Sequence, residues 1–125
     1  MRILLVDDED CVRGFVKDML TENAHEVVDV NNASKALDVI KGGEKFDAVV
    51  TDLIMPGMDG VELTKELLQY GIDNSSVIMI SGGAPDGKEE LFKIAKGFFG
   101  KRFLKKPFEI DDLFILLDEI GENIG

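Results

Sequence analysis

The sequence predicts an α/β domain in which a doubly wound, parallel five-stranded sheet carries helices on both faces. Three observations lead there. Short, β-branched apolar runs alternate with helical apolar stripes five times along the chain. Runs of that kind read as strands buried on both sides, and strict β-α alternation requires parallel strands joined by right-handed crossovers. At 125 residues the chain is one domain's worth. The expected division is a single domain over 1–121 with a short tail at 122–125.

The elements follow in order. Ile3-Leu4-Leu5-Val6 is the first apolar run, and Val12, Phe15, Val16, Met19 and Leu20 then fit the i, i+3, i+4, i+7, i+8 helix spacing. Val27-Val28 is a weaker strand run, followed by Ala33, Ala36, Leu37 and Ile40 at helical spacing and by Gly42-Gly43, a helix stop. Ala48-Val49-Val50 is the third run; Leu63, Leu67 and Leu68 carry the third helix, with Gly71 as its stop. Val77-Ile78-Met79-Ile80 is the fourth run. Leu91, Ile94, Ala95 and Phe98 form the next stripe, and Asp86 with Glu89 reads as a capping box opening it. Phe103-Leu104 is the last strand, and Ile110, Leu113, Phe114, Leu117 and Ile120 line the last helix.

Composition excludes several classes. Hydrophobic residues at 45% and charged residues at 31% suit a globular core, not a disordered chain. A net charge of −11 repels phosphate backbones and anionic lipid, so no direct nucleic-acid or membrane partner is expected. A single cysteine, Cys11, permits no internal disulfide, and the lone histidine, His25, permits no multi-histidine metal site. No apolar run approaches the roughly 20 residues that cross a bilayer. Met1 is followed too soon by Asp7 for a signal-peptide core, so a cytoplasmic setting is expected.

Function is written at the strand ends. Asp7-Asp8-Glu9 follow the first strand, Thr51-Asp52 the third, Ser81-Gly82-Gly83 the fourth and Lys105-Lys106-Pro107 the fifth. In a parallel sheet these ends share one edge, and ligands bind outside it where strand order reverses. If the first and third strands flank that reversal, Asp7, Asp8 and Asp52 converge. Carboxylates so crowded call for a cation, and an oxygen-only donor set with room for water suits Mg2+. A lysine and a hydroxyl arriving beside them make a phosphoryl-transfer site, in which a carboxylate can itself be the nucleophile.

The runs Leu4-Leu5-Val6-Asp7-Asp8-Glu9, Asp52-Leu53-Ile54-Met55-Pro56-Gly57-Met58-Asp59-Gly60, Ile80-Ser81-Gly82 and Leu104-Lys105-Lys106-Pro107-Phe108 resemble those of receiver domains of bacterial two-component response regulators. The resemblance covers essentially the whole chain. It implies a flavodoxin-like sheet of order 2-1-3-4-5. It also implies that Asp52 is the phosphoacceptor and that Mg2+ is held by Asp7, Asp8, Asp52 and the Ile54 carbonyl. In that scheme Asp8 is the direct ligand and Asp7 acts partly through water. Lys106 is then the phosphate-pairing lysine, with a cis bond to Pro107, while Lys105 is not. Ser81 joins Asp52 and Lys106 in the catalytic set and is also the switch hydroxyl, with Phe103 the aromatic switch and Gly82 a backbone donor in the phosphate pocket. The phosphoryl donor would be a sensor histidine kinase or a histidine phosphotransfer protein. The output would be a protein partner, or a homodimer formed on phosphorylation, at the face of the fourth helix, fifth strand and fifth helix. The domain would be no classical enzyme, catalysing only its own phosphorylation and dephosphorylation. With no output domain after the fifth helix, the chain reads as a stand-alone receiver, although an excised fragment would read the same.

Some positions depart from the commonest pattern. Gly82 replaces a small residue that is often alanine, and Gly82-Gly83-Ala84-Pro85 carries neither bulk nor charge. Ile54 offers no polar side chain to orient an attacking water, which favours a longer-lived phosphoryl group. Phe103 has no hydroxyl, so its switching would rest on burial alone.

Plainer readings compete. Asp7-Asp8-Glu9 also suits a solvated helix N-terminus, Asp52 a turn before Pro56-Gly57, Ser81 an ordinary loop hydroxyl and Lys106 a surface lysine. Cys11, among acids that raise a thiol's pKa, is no activated nucleophile. Residues 88–106 hold seven basic and two acidic side chains in an acidic protein; this is either a solvated face or a dock for an acidic partner. Ile115 and Leu116 lie beside the last core stripe, which fits either a contact surface or a well-buried helix. Two other functions stay in view. One is a Mg2+-dependent aspartyl-nucleophile phosphatase, although haloacid-dehalogenase-type enzymes space their first two aspartates one residue apart. The other is an interaction module indifferent to phosphorylation. A flavin binder is disfavoured because acids follow the first strand.

Overall fold

The computed structural model describes residues 1–83 and 85–124; Ala84, in the loop expected to lack bulk, and Gly125, in the expected tail, lie outside the described residues. Strands β1 (Arg2–Val6), β2 (Glu26–Val30), β3 (Ala48–Asp52), β4 (Val77–Ser81) and β5 (Phe103–Lys105) alternate with helices α1 (Asp10–Glu22), α2 (Ala33–Lys41), α3 (Gly60–Gln69), α4 (Glu89–Phe99) and α5 (Ile110–Ile124). The strands form one parallel sheet in the order β2-β1-β3-β4-β5, as expected.

Period-2 geometry divides the core. Leu4, Val6, Val49 and Met79 point to the face under α2, α3 and α4, where Leu37, Leu63, Leu67, Ala95 and Phe99 meet them. Ile3, Leu5, Val50, Ile78 and Ile80 point the other way, onto Val16 and Leu20 of α1 and Leu113 and Leu117 of α5. Central strands wetted on neither face cannot alternate with polar residues, which is why they appear as unbroken apolar runs.

Helix starts and stripes show three departures. Asp86 does not cap α4: Lys88 occupies the cap position without a side-chain bond. Gly87 has φ +84°, which no first helical residue can adopt, so the helix begins at Glu89. The capping box belongs instead to α3, where Asp59 Oδ1 accepts the Glu62 N–H at 2.9 Å and Glu62 Oε1 accepts the Asp59 N–H at 3.5 Å. On α4 the buried stripe is Ala95 and Phe99, with Leu91 and Phe92 packed against the core, whereas Ile94 and Phe98 are more than half exposed. On α1, Phe15 likewise faces solvent while Val16 and Leu20 are buried. Finally, α5 continues through Ile124, so residues expected as tail are helical. Leu116 is buried and Ile115 exposed.

Candidate functional site

β1 and β3 are neighbours, paired through Val6 and Thr51, so the residues that follow, Asp7 and Asp52, emerge side by side at the C-terminal edge. Asp52 in turn pairs with Ile80, and Ser81 with Lys105. The Lys106 N–H donates to the Ser81 carbonyl at 2.7 Å, which carries β5's end to the same edge. The Lys106–Pro107 peptide is cis. Asp7, Asp52 and Ser81 are buried, while Asp8 is exposed.

One lysine organises the cluster. Lys106 Nζ donates to Asp7 Oδ2 at 3.1 Å, Glu9 Oε1 at 3.0 Å and Asp52 Oδ2 at 3.3 Å. Burial pushes the Asp52 carboxyl up to about 7, with the charges of Asp7 and Asp8 adding to the rise and Lys106 opposing it. Lys106 is itself desolvated, yet its hydrogen bond to Glu9 and the charges of Asp52 and Asp7 raise it above the usual lysine value. The Glu9 contact had no place in the sequence reading, although Glu9 stands in the same acidic run.

Asp7, Asp8 and Asp52 each offer a carboxylate oxygen within 4.8 Å of the others. Three hard oxygen donors with one exposed member, at a place where one carboxyl is already forced toward neutrality, fit a divalent cation that keeps part of its water shell. The Ile54 carbonyl lies in the loop two residues beyond Asp52 and takes no backbone hydrogen bond among the described residues.

Glycine at position 60 is a packing requirement: a Cβ there would sit 2.5 Å from the Asp52 carbonyl and 2.6 Å from Met79 Sδ. The helix start of α3 therefore rests directly on the strand end that carries Asp52, and the Gly60 N–H donates to the Leu53 carbonyl at 2.8 Å. Gly82 is different. It is exposed, and a Cβ there would meet nothing within 4 Å. Its neighbour Gly83 has the demanding backbone, with φ +126°.

Neither expected switch residue hydrogen-bonds a member of the charge cluster through its side chain among the described residues. Ser81 Oγ accepts the Gly83 N–H at 3.3 Å and donates to the Gly83 carbonyl at 3.2 Å, so the hydroxyl is spent on its own loop. Phe103 is half-buried and stacks edge-on against Phe92 of α4, with ring centroids 5.1 Å apart. Beside Lys106 a groove of about 480 Å³ runs between α1 and the chain after β5, lined by Val12, Phe15, Gly82, Pro107 and Phe108. On α4, Lys93 and Lys96 are exposed around Ile94 and Phe98, and Lys101 pairs with Glu119 of α5 at 2.8 Å. Cys11 is exposed in the first turn of α1. No helix among the described residues is long and apolar enough to cross a membrane.

Fold and cluster together define a doubly wound α/β domain with an acidic, lysine-bridged pocket at its switch in strand order. The model of the response regulator receiver domain matches residues 3–118, and the chain belongs to that family, a CheY-like module of two-component signalling. It is 34% identical over 127 residues to the chemotaxis protein CheY-3 of Vibrio cholerae, covering 99% of this chain and 94% of that one. It is 32% identical over 123 residues to the transcriptional regulatory protein TcrA of Mycobacterium tuberculosis, covering 98% of this chain and 47% of that one. The chain thus spans about half the length of TcrA, and 15% of the sensory/regulatory protein RpfC of Xanthomonas campestris. Among solved structures, the receiver domain of the Francisella response regulator 1452 is similar with a TM-score of 0.79 and 28% identity, covering 99% of this chain and 98% of that one. The response regulator protein TrrA of Thermotoga maritima, solved in complex with Mg(2+)-BeF, is similar with a TM-score of 0.77 and 25% identity, covering 95% and 97%.

Proposed function

We propose that this receiver domain takes a phosphoryl group onto Asp52 from the phosphohistidine of a sensor histidine kinase or histidine phosphotransfer protein, and then controls a protein partner through the surface of α4, β5 and α5. One observation carries the reading: a buried Asp52 bonded to Lys106, with Asp7 on the same lysine and Asp8 alongside.

Asp7, Asp8, Asp52 and the Ile54 carbonyl are the groups that would hold Mg2+. When bound, the ion supplies positive charge that keeps the carboxylates ionised and offsets charge building on the transferred group. Asp52 Oδ forms the new O–P bond as the donor's N–P bond breaks. The bonding pair stays on the histidine nitrogen, and with its other nitrogen protonated the ring departs as neutral imidazole. Lys106 pairs with a phosphoryl oxygen, and the Gly82 N–H is the backbone donor beside it. The groove next to Lys106, with exposed Phe15 on its rim, suits an apolar patch on the donor. Loss of the phosphoryl group needs an attacking water; the apolar Ile54 side chain orients none, which favours a long-lived mark.

Switching requires the phosphoryl group to favour one arrangement of the domain over another. Here that means drawing the Ser81 hydroxyl from the Gly83 backbone and shifting Phe103 against Phe92. The exposed Ile94 and Phe98 between lysines fit an acidic partner with apolar anchors, and a homodimer on this face is the competing occupant. The setting of this chemistry is the cytoplasm.

Intact-mass measurement with acetyl phosphate and Mg2+ tests the reading. Wild type gains one base-labile phosphate and Asp52→Asn gains none. An undiminished gain in Asp52→Asn, or none in wild type, overturns it. Repeated turnover of a phosphate ester would indicate a phosphatase instead. Charge reversal at Lys93 and Lys96 should weaken binding of an acidic partner, and unchanged affinity removes that surface from the reading.

A further inference from the structure

We propose that Arg13 is a positioning residue for the metal pocket: by holding the Asp7 carbonyl it sets the direction in which the Asp8 carboxylate points. This rests on the Mg2+ reading above. Arg13 lies on the first turns of α1, with only 17% of its side chain exposed. Its guanidinium reaches three acceptors. Nη1 donates to the Asp7 carbonyl at 2.9 Å, Nε to Asp29 Oδ2 at 3.1 Å, and Nη2 pairs with Asp10 Oδ1 at 2.9 Å.

The first contact is the one with consequences for the pocket. The Asp7 carbonyl belongs to the same planar peptide as the Asp8 amide, so fixing one fixes the plane from which the Asp8 side chain departs. On its other side, the Asp7 N–H donates to the Val30 carbonyl at 3.2 Å. Asp7 and Asp52 are aimed by Lys106, but Asp8 is not. Its carboxylate is exposed and takes no hydrogen bond or ion pair among the described residues. Only the backbone aims it.

A plainer role, that of a strut between α1 and β2, accounts for less. Asp29 on β2 is already paired with Lys17 at 2.8 Å, one turn further along α1. Lys17 and Arg13 together hold the Asp29 carboxyl below the usual carboxylate range against the upward push of burial. The strut is therefore duplicated, whereas Arg13 alone reaches the Asp7 carbonyl. A purely electrostatic role predicts the opposite sign. Removing a nearby cation would tighten Mg2+ binding, and Asp10 and Asp29 already offset most of that charge.

The test is calorimetric titration of the unphosphorylated chain with Mg2+, together with the NMR order parameter of the Asp8 amide in the metal-free protein. Arg13→Lys keeps the charge and a bond to Asp29 but cannot span to the carbonyl as well. It should weaken Mg2+ about tenfold, in line with the usual cost of losing a group that orients a ligand, and lower the Asp8 order parameter while thermal stability stays near wild type. Asp29→Asn should lower thermal stability with less than a threefold change in Mg2+ affinity. If Arg13→Lys folds poorly, Arg13→Gln, a neutral donor of shorter reach, is read the same way. Wild-type Mg2+ affinity and a wild-type Asp8 order parameter in the Arg13 variants overturn the proposal alone, as does tighter binding. Absence of Mg2+ binding in wild type removes the metal reading and this proposal together.

Discussion

Lys106 is bonded to acids from two other segments, the loop after β1 and the end of β3, and Asp7 also anchors the Glu9 N–H at 2.9 Å. Across the pocket, the Ser81 hydroxyl bonds, among the described residues, only to a glycine two residues on, and the Lys88 N–H donates back to the Pro85 carbonyl at 2.9 Å. Gly83 and Gly87 sit at φ +126° and +84°. One side is cross-linked between elements; the other is held by its own loop. The contrast assigns the work. Charge stabilisation is effective when the groups are fixed in advance, whereas a segment with few ties outside itself rearranges at low cost. Under the proposed function, chemistry falls to the tied side and signalling to the loose one.

Lys106→Ala should have the largest effect. Asp7 and Asp52 would be left buried without their cation, a loss on the order of 3 kcal/mol at pH 8 in metal-free buffer. Phosphoryl incorporation from acetyl phosphate should fall by about 100-fold or more. Urea denaturation and a mass time course measure the two, and an unchanged denaturation midpoint would show that the acids are not paying for burial through this lysine.

Asp52 supplies the next largest effect. Its carboxyl titrates at about 7 when folded and metal-free, against roughly 3.9 in an unfolded chain. Between those values the native state binds the extra proton. This stabilising contribution is therefore complete below pH 4 and is lost as pH rises through 7. Asp52→Asn has no such loss, so it should match wild type near pH 4 and exceed it by roughly 2–3 kcal/mol at pH 8 in EDTA. Mg2+ should close most of that gap by stabilising wild type alone. Gly60→Ala comes third. Its Cβ would be forced against the Asp52 carbonyl, costing about 2 kcal/mol by overpacking and shifting Asp52 away from Lys106. Its phosphoryl incorporation should fall, while Gly82→Ala, in open space, leaves stability unchanged.

The tied side was also the legible side. Asp7, Asp8, Asp52 and Lys106 stand directly after strands, and parallel strands bring their ends to one edge whatever the helices do. Lys106 distinguishes itself from Lys105 by its cis bond and by pointing into the acids. The loose side misled. Asp86 and Glu89 have the same spacing as Asp59 and Glu62, yet only the second pair caps a helix, because Gly87 occupies a backbone region that sequence spacing does not reveal. Helix α4 carries apolar residues at 91, 92, 94, 95, 98 and 99, so two stripes fit equally well. Packing of Phe99 and Phe92 against β4 and β5 chooses between them. The contacts Arg13–Asp29 and Glu9–Lys106 were not legible for another reason: each joins side chains from different elements, and no spacing in the sequence marks the pair.

Ser81→Ala should be the mildest variant. In the resting state it removes two bonds, both to Gly83. One is the acceptor for the Gly83 N–H, and a typical net hydrogen bond is worth about 1 kcal/mol. Amide exchange at Gly83 should therefore rise about fivefold, with global stability and Mg2+ affinity nearly unchanged. Phosphate should still load onto Asp52, because none of the groups around that carboxylate is lost. The defect should appear only downstream: partner affinity should respond less to phosphorylation than in wild type, with the unphosphorylated affinity unaltered. If Ser81→Ala instead blocks loading as completely as Asp52→Asn, the hydroxyl belongs to the tied side, and the division of labour across the pocket is wrong.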